Sequence, residues 1–290
     1  MTDTTMPPRP RSWAGFDLAA RANNDPLVMG IVNVTPDSFS DGGQCHDPAA
    51  GIAHGIALAL AGADILDVGG ESTRPGSGTV AIQEEIARVV PVIEGLRAAL
   101  PDIAISIDTR KGAVMRAAAS AGATIINDVA ALTFGDDALS TAAELELPVV
   151  LMHAKGDPKT MQENPVYADV NREVAEFLAE RVVACVQAGI NPGAIAIDPG
   201  IGFGKTLDHN LELLRALKHF HALGLPVLLG ASRKRFIGTL SGVDLAQERV
   251  AGSVAVALHA ASAGVQIIRV HDVAETVQAL KVWRAMDAAA

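Results

Sequence analysis

Cysteine is nearly missing from this chain: Cys45 and Cys185 are the only two in 290 residues. They form neither a disulfide framework nor a metal-ligand pattern, and no HExxH or CxxC motif is present. Basic charge is also short. The 23 lysines and arginines face 33 aspartates and glutamates, for a net charge of −10. General binders of nucleic acid or anionic membrane carry the opposite balance, so both classes are excluded and any anion site must be a local cluster. Long apolar runs are lacking too. The nearest, residues 251–270, carries Ser253, His259, Ser262, Gly264 and Gln266 and ends at Arg269. A helix from Arg249 to about Ala263, followed by Gly264 and a strand, explains it better than a membrane span. No secretory signal is visible, and Met1–Ser12 is polar and proline-rich. A cytoplasmic protein is expected, with a flexible tail and lead-in over 1–25 and a single domain over 26–288. No low-complexity linker divides it.

Hydrophobic residues are abundant, at 49% against 19% charged, so a sizeable core can form. The length suits one large α/β barrel. Short β-rich runs alternate with helical stretches from Leu27 onward. Eight strands are expected: Leu27–Val32, Ile65–Val68, Ile103–Ile107, Thr124–Asn127, Val149–Met152, Ala194–Ile197, Val227–Leu229 and Gln266–Val270. Most are nearly continuous apolar runs, as parallel strands buried on both faces require. Helices are expected at Asp47–Ala61, Ala81–Ala99, Gly112–Ala121, Val170–Ala188, Asp208–Ala222, Gln247–Ala263 and Val273–Met286. Gly62, Gly122, Gly189, Gly224 and Gly264 follow helical stretches, where a left-handed cap fits. The pattern argues for a single-domain α/β fold, a (β/α)8 TIM barrel, with an open doubly wound sheet as the alternative.

In such a barrel the active site lies at the C-terminal strand ends. The polar residues fall there. Strand one leads to Asn33 and Thr35–Gly43. Strand two contains Asp67 and leads to Gly69–Gly76. Asp108, Asn127, His153 and Asp198 end strands three to six. Ser232, Arg233, Lys234 and Arg235 follow strand seven, and strand eight brings Arg269 and His271. Taken singly, each has a bland explanation: an Asp or Asn caps the next helix, a histidine is structural, an arginine cluster is solvated. Independent capping does not bring all of them to one rim.

Asp108, Asn127 and Asp198 suit a flat, nitrogen-rich heterocycle, because a buried carboxylate facing adjacent N–H groups makes a charge-assisted two-point contact. Lys234 adds a donor. Arg269, His271 and Asn33 suggest an anion site. Gly200–Thr206 resembles a phosphate-binding P-loop but has three residues between Gly200 and Gly204 where that motif needs about four. It reads instead as the loop after strand six, with Phe203 a stacking wall and Lys205 facing solvent.

The runs Met29–Gly43 (MGIVNVTPDSFSDGG) and Asp67–Gly76 (DVGGESTRPG) resemble the two signature loops of the dihydropteroate synthase family. The resemblance continues through Ser106–Thr109, Ile126–Asp128, Asp198–Lys205, Ser232–Lys234 and Arg269–Asp272, covering roughly residues 27 to 285. It implies a (β/α)8 barrel, a homodimer, and an enzyme that joins p-aminobenzoate to 7,8-dihydropterin-6-ylmethyl diphosphate. Diphosphate leaves and dihydropteroate forms, a step of folate synthesis that sulfonamides inhibit. It also implies roles. Residues matching Asp108, Asn127, Asp198 and Lys234 bind the pterin, and Met152 lines its site. Those matching Asn33, Arg269 and His271 hold the diphosphate, with Mg2+ at Asn33. Thr73 contacts substrate. Arg74, Pro75, Phe203, Ser232 and Arg233 shape the aminobenzoate pocket. Asp37, Arg74, Asp108, Asp198 and Lys234 are the expected catalytic set, with departure of diphosphate before attack by the amine. Ala154, Lys155, Ala130 and Arg235 depart from residues common in the family and flank the site. Two rivals stand beside this reading: a pterin-dependent methyl-transfer protein and a catalytically silent pterin-binding paralogue.

Overall fold

A computed structural model describes residues 10–21, 25–35, 48–72, 78–156, 161 and 163–287. Eight strands form one sheet: β1 (Leu27–Asn33), β2 (Ile65–Gly69), β3 (Ala104–Asp108), β4 (Ile125–Asp128), β5 (Val149–Met152), β6 (Ile195–Asp198), β7 (Leu228–Gly230) and β8 (Ile267–Val270). Their order is β6-β5-β4-β3-β2-β1-β8-β7, and every adjacent pair is parallel. A parallel bridge from Ile197 of β6 to Val227, just before β7, brings the two edges together. The Ile197 N–H donates to the Pro226 carbonyl at 2.9 Å. That contact rules out the open sheet and makes the fold a barrel.

Helices alternate with the strands: α1 (Pro48–Leu60), α2 (Ile82–Ala99), α3 (Gly112–Ala121), α4 (Ala138–Leu145), α5 (Val170–Gln187), α6 (Leu207–Arg215), α7 (Leu217–Phe220), α8 (Arg235–Ser241), α9 (Val250–Ser262) and α10 (Val273–Asp287). Among the described residues no helix is long and apolar enough to cross a membrane. The five glycines read as helix ends all take positive φ, between 70° and 112°.

Successive strand residues face opposite sides of a sheet. The alternation divides the core in two. Val28, Val32, Leu66, Val68, Ile105 and Ile107 pack outward with the helices. Leu27, Met29, Ile65, Ile125, Val150 and Leu228 pack inward and fill the lower barrel. A short hairpin, Ser12–Trp13 paired with Phe16–Asp17, closes this floor from below. Trp13 is buried in the inner cluster, and its indole N–H donates to the Ala194 carbonyl at 3.1 Å. The flexible lead-in expected over 1–25 is therefore corrected for residues 10–21. A tryptophan large enough to plug the barrel end anchors them.

Candidate active site

Continuing the inward alternation toward the C-terminal ends gives Asp67 on β2, Ser106 and Asp108 on β3, Asn127 on β4, Met152 on β5, Asp198 on β6, Gly230 on β7 and Arg269 on β8. The parallel register sets Asp67 beside Ser106, Asp108 beside Asn127, Met152 beside Asp198 and Arg269 beside Gly230. The barrel interior thus changes from apolar to polar in one step along every strand but β1, β5 and β7.

Asp67 organises the base of this polar layer. It is fully buried, and its Oδ2 accepts from Asn127 Nδ2 at 3.1 Å and from Arg269 Nε at 2.5 Å. Arg269 Nη2 also donates to Asp108 Oδ2 at 2.7 Å. Three buried oxygens of this layer have no hydrogen-bond partner among the described residues: Asp67 Oδ1, Ser106 Oγ and Asp108 Oδ1. Burial pushes the Asp108 carboxyl up to about 7, against the pull of Arg269 and with the push of Asp67. Burial also raises Asp198, whose Oδ1 accepts from the Gly200 N–H at 2.7 Å. The paired carboxylates hold the Arg269 guanidinium more firmly protonated than usual. Asp67 was not among the expected site residues. Its signal was an aspartate in the middle of the apolar run Ile65-Leu66-Asp67-Val68.

Lys234 comes from the loop after β7. Its Nζ donates to the Ile201 carbonyl and lies 4.4 Å from the centre of the Phe203 ring. Burial lowers this amine to about 8, with Asp198 opposing the fall and Arg269 adding to it. Next to it, Ser232 Oγ accepts from the His271 backbone N–H at 3.2 Å and lies 3.0 Å from His271 Nδ1. Arg233 has φ of +60° and its guanidinium pairs with Asp272. Its backbone is pinned by Ser253 Oγ, which accepts its N–H at 2.9 Å, and by Arg249, which donates to its carbonyl at 3.0 Å. Asn33 ends β1 at the same rim, half-buried.

The loop after β6 turns at Gly200, Gly202 and Gly204, all with positive φ. A Cβ on Gly200 would lie 1.9 Å from the His153 carbonyl oxygen, and one on Gly204 would lie 2.2 Å from the Lys155 oxygen. The loop is pressed against the chain leaving β5. Lys205 does not face solvent as expected. It is 3% exposed, with Nζ 2.9 Å from His153 Nδ1 and donating to the Phe203 carbonyl at 3.0 Å. Burial and Lys205 together push the His153 imidazole down to about 2, so the ring is neutral where it meets Lys205.

Asp37, Thr73, Arg74 and Pro75 lie outside the described residues. The chain on either side of 73–77 is tied down. Glu71 Oε2 accepts from the Val80 N–H and from Lys111 Nζ, both at 2.7 Å. Lys111 also donates to the Val80 carbonyl at 2.6 Å and to Glu85 at 2.5 Å.

Residues 29–271 match the family described as pterin binding enzyme. The chain is 51% identical to dihydropteroate synthase of Escherichia coli (strain K12) over 260 residues, 90% of this chain and 91% of that protein. It superposes on the Xanthomonas albilineans dihydropteroate synthase in complex with 7,8-dihydropteroate with a TM-score of 0.83 at 50% identity, covering 93% of this chain and 98% of that one. The Yersinia pestis dihydropteroate synthase with a sulfonamide drug gives a TM-score of 0.88 at 47% identity, over 94% and 96%.

Proposed function

The chain belongs to the dihydropteroate synthase family of pterin-binding enzymes, and on that premise we propose how its barrel mouth joins p-aminobenzoate to 7,8-dihydropterin-6-ylmethyl diphosphate. The observation that carries the reading is the set of buried, unpaired oxygens on Asp67, Ser106 and Asp108. Asp67 and Asp108 lie beside Asn127, and burial of a polar atom without a partner is costly. A pterin brings a dense row of N–H donors to satisfy such acceptors. Asp108, Asn127 and Asp198 take the heterocycle edge and Lys234 supplies the donor. Met152 lines the ring, and Asp67 holds Asn127 and Arg269 in register.

The Arg269 guanidinium is held within this layer by Asp67 and Asp108. With His271 and Asn33 it faces the leaving diphosphate, and its fixed charge offsets the charge that develops there. Asp108 and Asp198 stabilise the positive charge left on the methylene and its conjugated ring. The aromatic amine is unprotonated at neutral pH and attacks without a strong base. It is held by Phe203, Ser232 and Arg233 together with Thr73, Arg74 and Pro75, and Asp37 adds its charge from the first loop. Departure before attack is tested by positional isotope exchange in labelled diphosphate substrate. Its absence under reversible conditions removes that order.

Mg2+ is part of the reading. Among the described residues no group of three or more His, Cys, Asp or Glu could hold a metal ion. The Asn33 carboxamide at the rim fits an ion that takes most of its oxygens from water and diphosphate. Such an ion, held there, would offset leaving-group charge. A homodimer is also proposed. Val282 and Met286, 56% and 63% exposed, line an apolar groove of about 700 Å³ between α9 and α10 that a second copy would cover. A monomeric mass by sedimentation removes that part. A cytoplasmic setting accords with the free, buried Cys185.

The deciding experiment is a diphosphate-release assay with both substrates and Mg2+, with and without chelator, with dihydropteroate identified by mass. Wild type should turn over. Lys234→Ala and Arg74→Ala should each lose roughly 100-fold or more in kcat/KM, the scale of a lost electrostatic contact in the transition state. Pterin binding without product would revive the silent paralogue.

A further inference from the structure

We propose that Lys205 is a positioning residue of the active site, tying the end of β5 to the loop after β6 and so fixing where the Phe203 ring and the Ile201 carbonyl stand. The inference rests on the function proposed above, which assigns Phe203 to the aminobenzoate and Lys234 to the pterin.

Three polar atoms lie around Lys205 Nζ, and burial lowers this amine well below the usual lysine range. His153 Nδ1 lies at 2.9 Å, the Phe203 carbonyl at 3.0 Å and the His153 carbonyl at 3.4 Å. None is a carboxylate. A buried lysine without an ion-pair partner among the described residues is a costly thing to fold around. What it gains is a three-way tether between two segments. His153 leaves β5 directly after Met152, and its N–H donates to the Asp198 carbonyl at 3.0 Å. Its ring is braced edge-on by Phe177, at 4.9 Å between centroids. The Lys205 end of the tether is therefore anchored to a fixed post.

The other end carries the active site. Phe203 is held by its own carbonyl, so its ring projects from a pinned backbone. The ring receives Lys234 Nζ at 4.4 Å, and the Ile201 carbonyl accepts from that same Nζ. Other side chains hold the loop at its glycines: Asp198 Oδ1 accepts from the Gly200 N–H at 2.7 Å and the Asn210 carboxamide from the Gly202 N–H at 2.6 Å. Tyr167 secures Gly204, donating from its hydroxyl to that carbonyl at 2.9 Å. Lys205 is the tether nearest Phe203. Loss of its bond to the Phe203 carbonyl acts on the aminobenzoate wall directly. Lys234 is affected less, because Asp198 also faces it.

The test is steady-state kinetics of the full chain carrying Lys205→Met and Lys205→Gln, beside wild type, with fold checked by circular dichroism. Lys205→Met should raise KM for p-aminobenzoate about tenfold or more and KM for the pterin diphosphate less than threefold. Lys205→Gln keeps two N–H donors and should hold the rise to about two- to fivefold. A role in folding alone would lower the active fraction, reducing kcat and leaving both KM values in place. KM for p-aminobenzoate within about 1.5-fold of wild type in Lys205→Met overturns the inference. Should Lys205→Met not fold, the same result in Lys205→Gln overturns it. Wild type without turnover would instead overturn the proposed function.

Discussion

Asp108 and Lys234 are the two groups whose protonation the proposed chemistry depends on, and burial moves them toward each other. Asp108 is pushed up to about 7 and Lys234 down to about 8. Asp108 must be ionised to accept from the pterin, so kcat/KM rises as pH climbs through about 7. Lys234 must be protonated to donate, so kcat/KM falls as pH climbs through about 8. A narrow bell in kcat/KM is expected, since that ratio reports the free enzyme. The limbs belong to the interacting groups Asp108, Asp198 and Lys234 rather than to one residue alone. Asp108→Asn should lower the maximum about 10- to 150-fold, the loss of one hydrogen bond to a charged group, and flatten the acid limb. A wild-type profile flat from pH 6 to 9 would refute the assignment. At this scale the sequence made Asp108, Asn127, Asp198, Lys234 and Arg269 legible, because polar residues at apolar strand ends stand out. It misread Lys205, because a lysine without a neighbouring acid in sequence looks solvated. Its acceptors are a histidine ring 52 residues away and two carbonyls.

Elements were legible where glycine punctuates them. The eight strands lie within a residue or two of expectation, since their apolar runs are bounded on both sides. Helices α4 and α8 escaped because both are short: α4 is capped by Glu146, at φ of +54°, where a glycine would have marked the stop, and α8 was missed despite Gly242 at its end. The expected helix over 208–222 is split into α6, α7 and a 3-10 turn, with no glycine or proline to announce the break. Gly200, in the loop after β6, and Gly224, at the helix end before β7, offer a matched pair of tests. Gly200 and Gly224 have nearly the same φ, +68° and +70°, but Gly200 has a carbonyl oxygen 1.9 Å from its would-be Cβ and Gly224 has nothing within 4 Å. Gly224→Ala should cost about 1–2 kcal/mol, the left-handed penalty alone. Gly200→Ala adds a clash with backbone that cannot rotate away and should cost about 2–5 kcal/mol in total. Urea unfolding of the two variants checks this. Equal losses would show that the loop shifts freely off the β5 end, against the tight docking seen here.

At the scale of the whole molecule, the barrel separates stability from chemistry along its axis. The polar layer lies at the C-terminal strand ends, the apolar layer beneath it, and Trp13 beneath that. The barrel was legible because eight buried strands in one domain leave few other closures. Its plug was not, because a two-residue strand after a proline-rich stretch carries no periodicity. One tryptophan there looks like a tail residue until the barrel end is seen to need filling. The plug predicts a clean split. Trp13→Ala removes a fully buried ring and leaves the Ala194 carbonyl without its donor, and should cost about 3–5 kcal/mol. Trp13→Phe keeps most of the ring volume and should cost much of a hydrogen bond plus a small cavity, about 1–2 kcal/mol. In both variants kcat and both KM values at 25 °C should stay within about twofold of wild type. The inner apolar layer of Leu27, Met29, Ile65, Ile125, Val150 and Leu228 separates Trp13 from Asp67 and Asp108, and close-packed interiors transmit small displacements only where a second arrangement exists. Unfolding midpoints and kinetics measured on the same samples decide it. A KM change that follows the stability loss would mean that the floor and the mouth of the barrel move together.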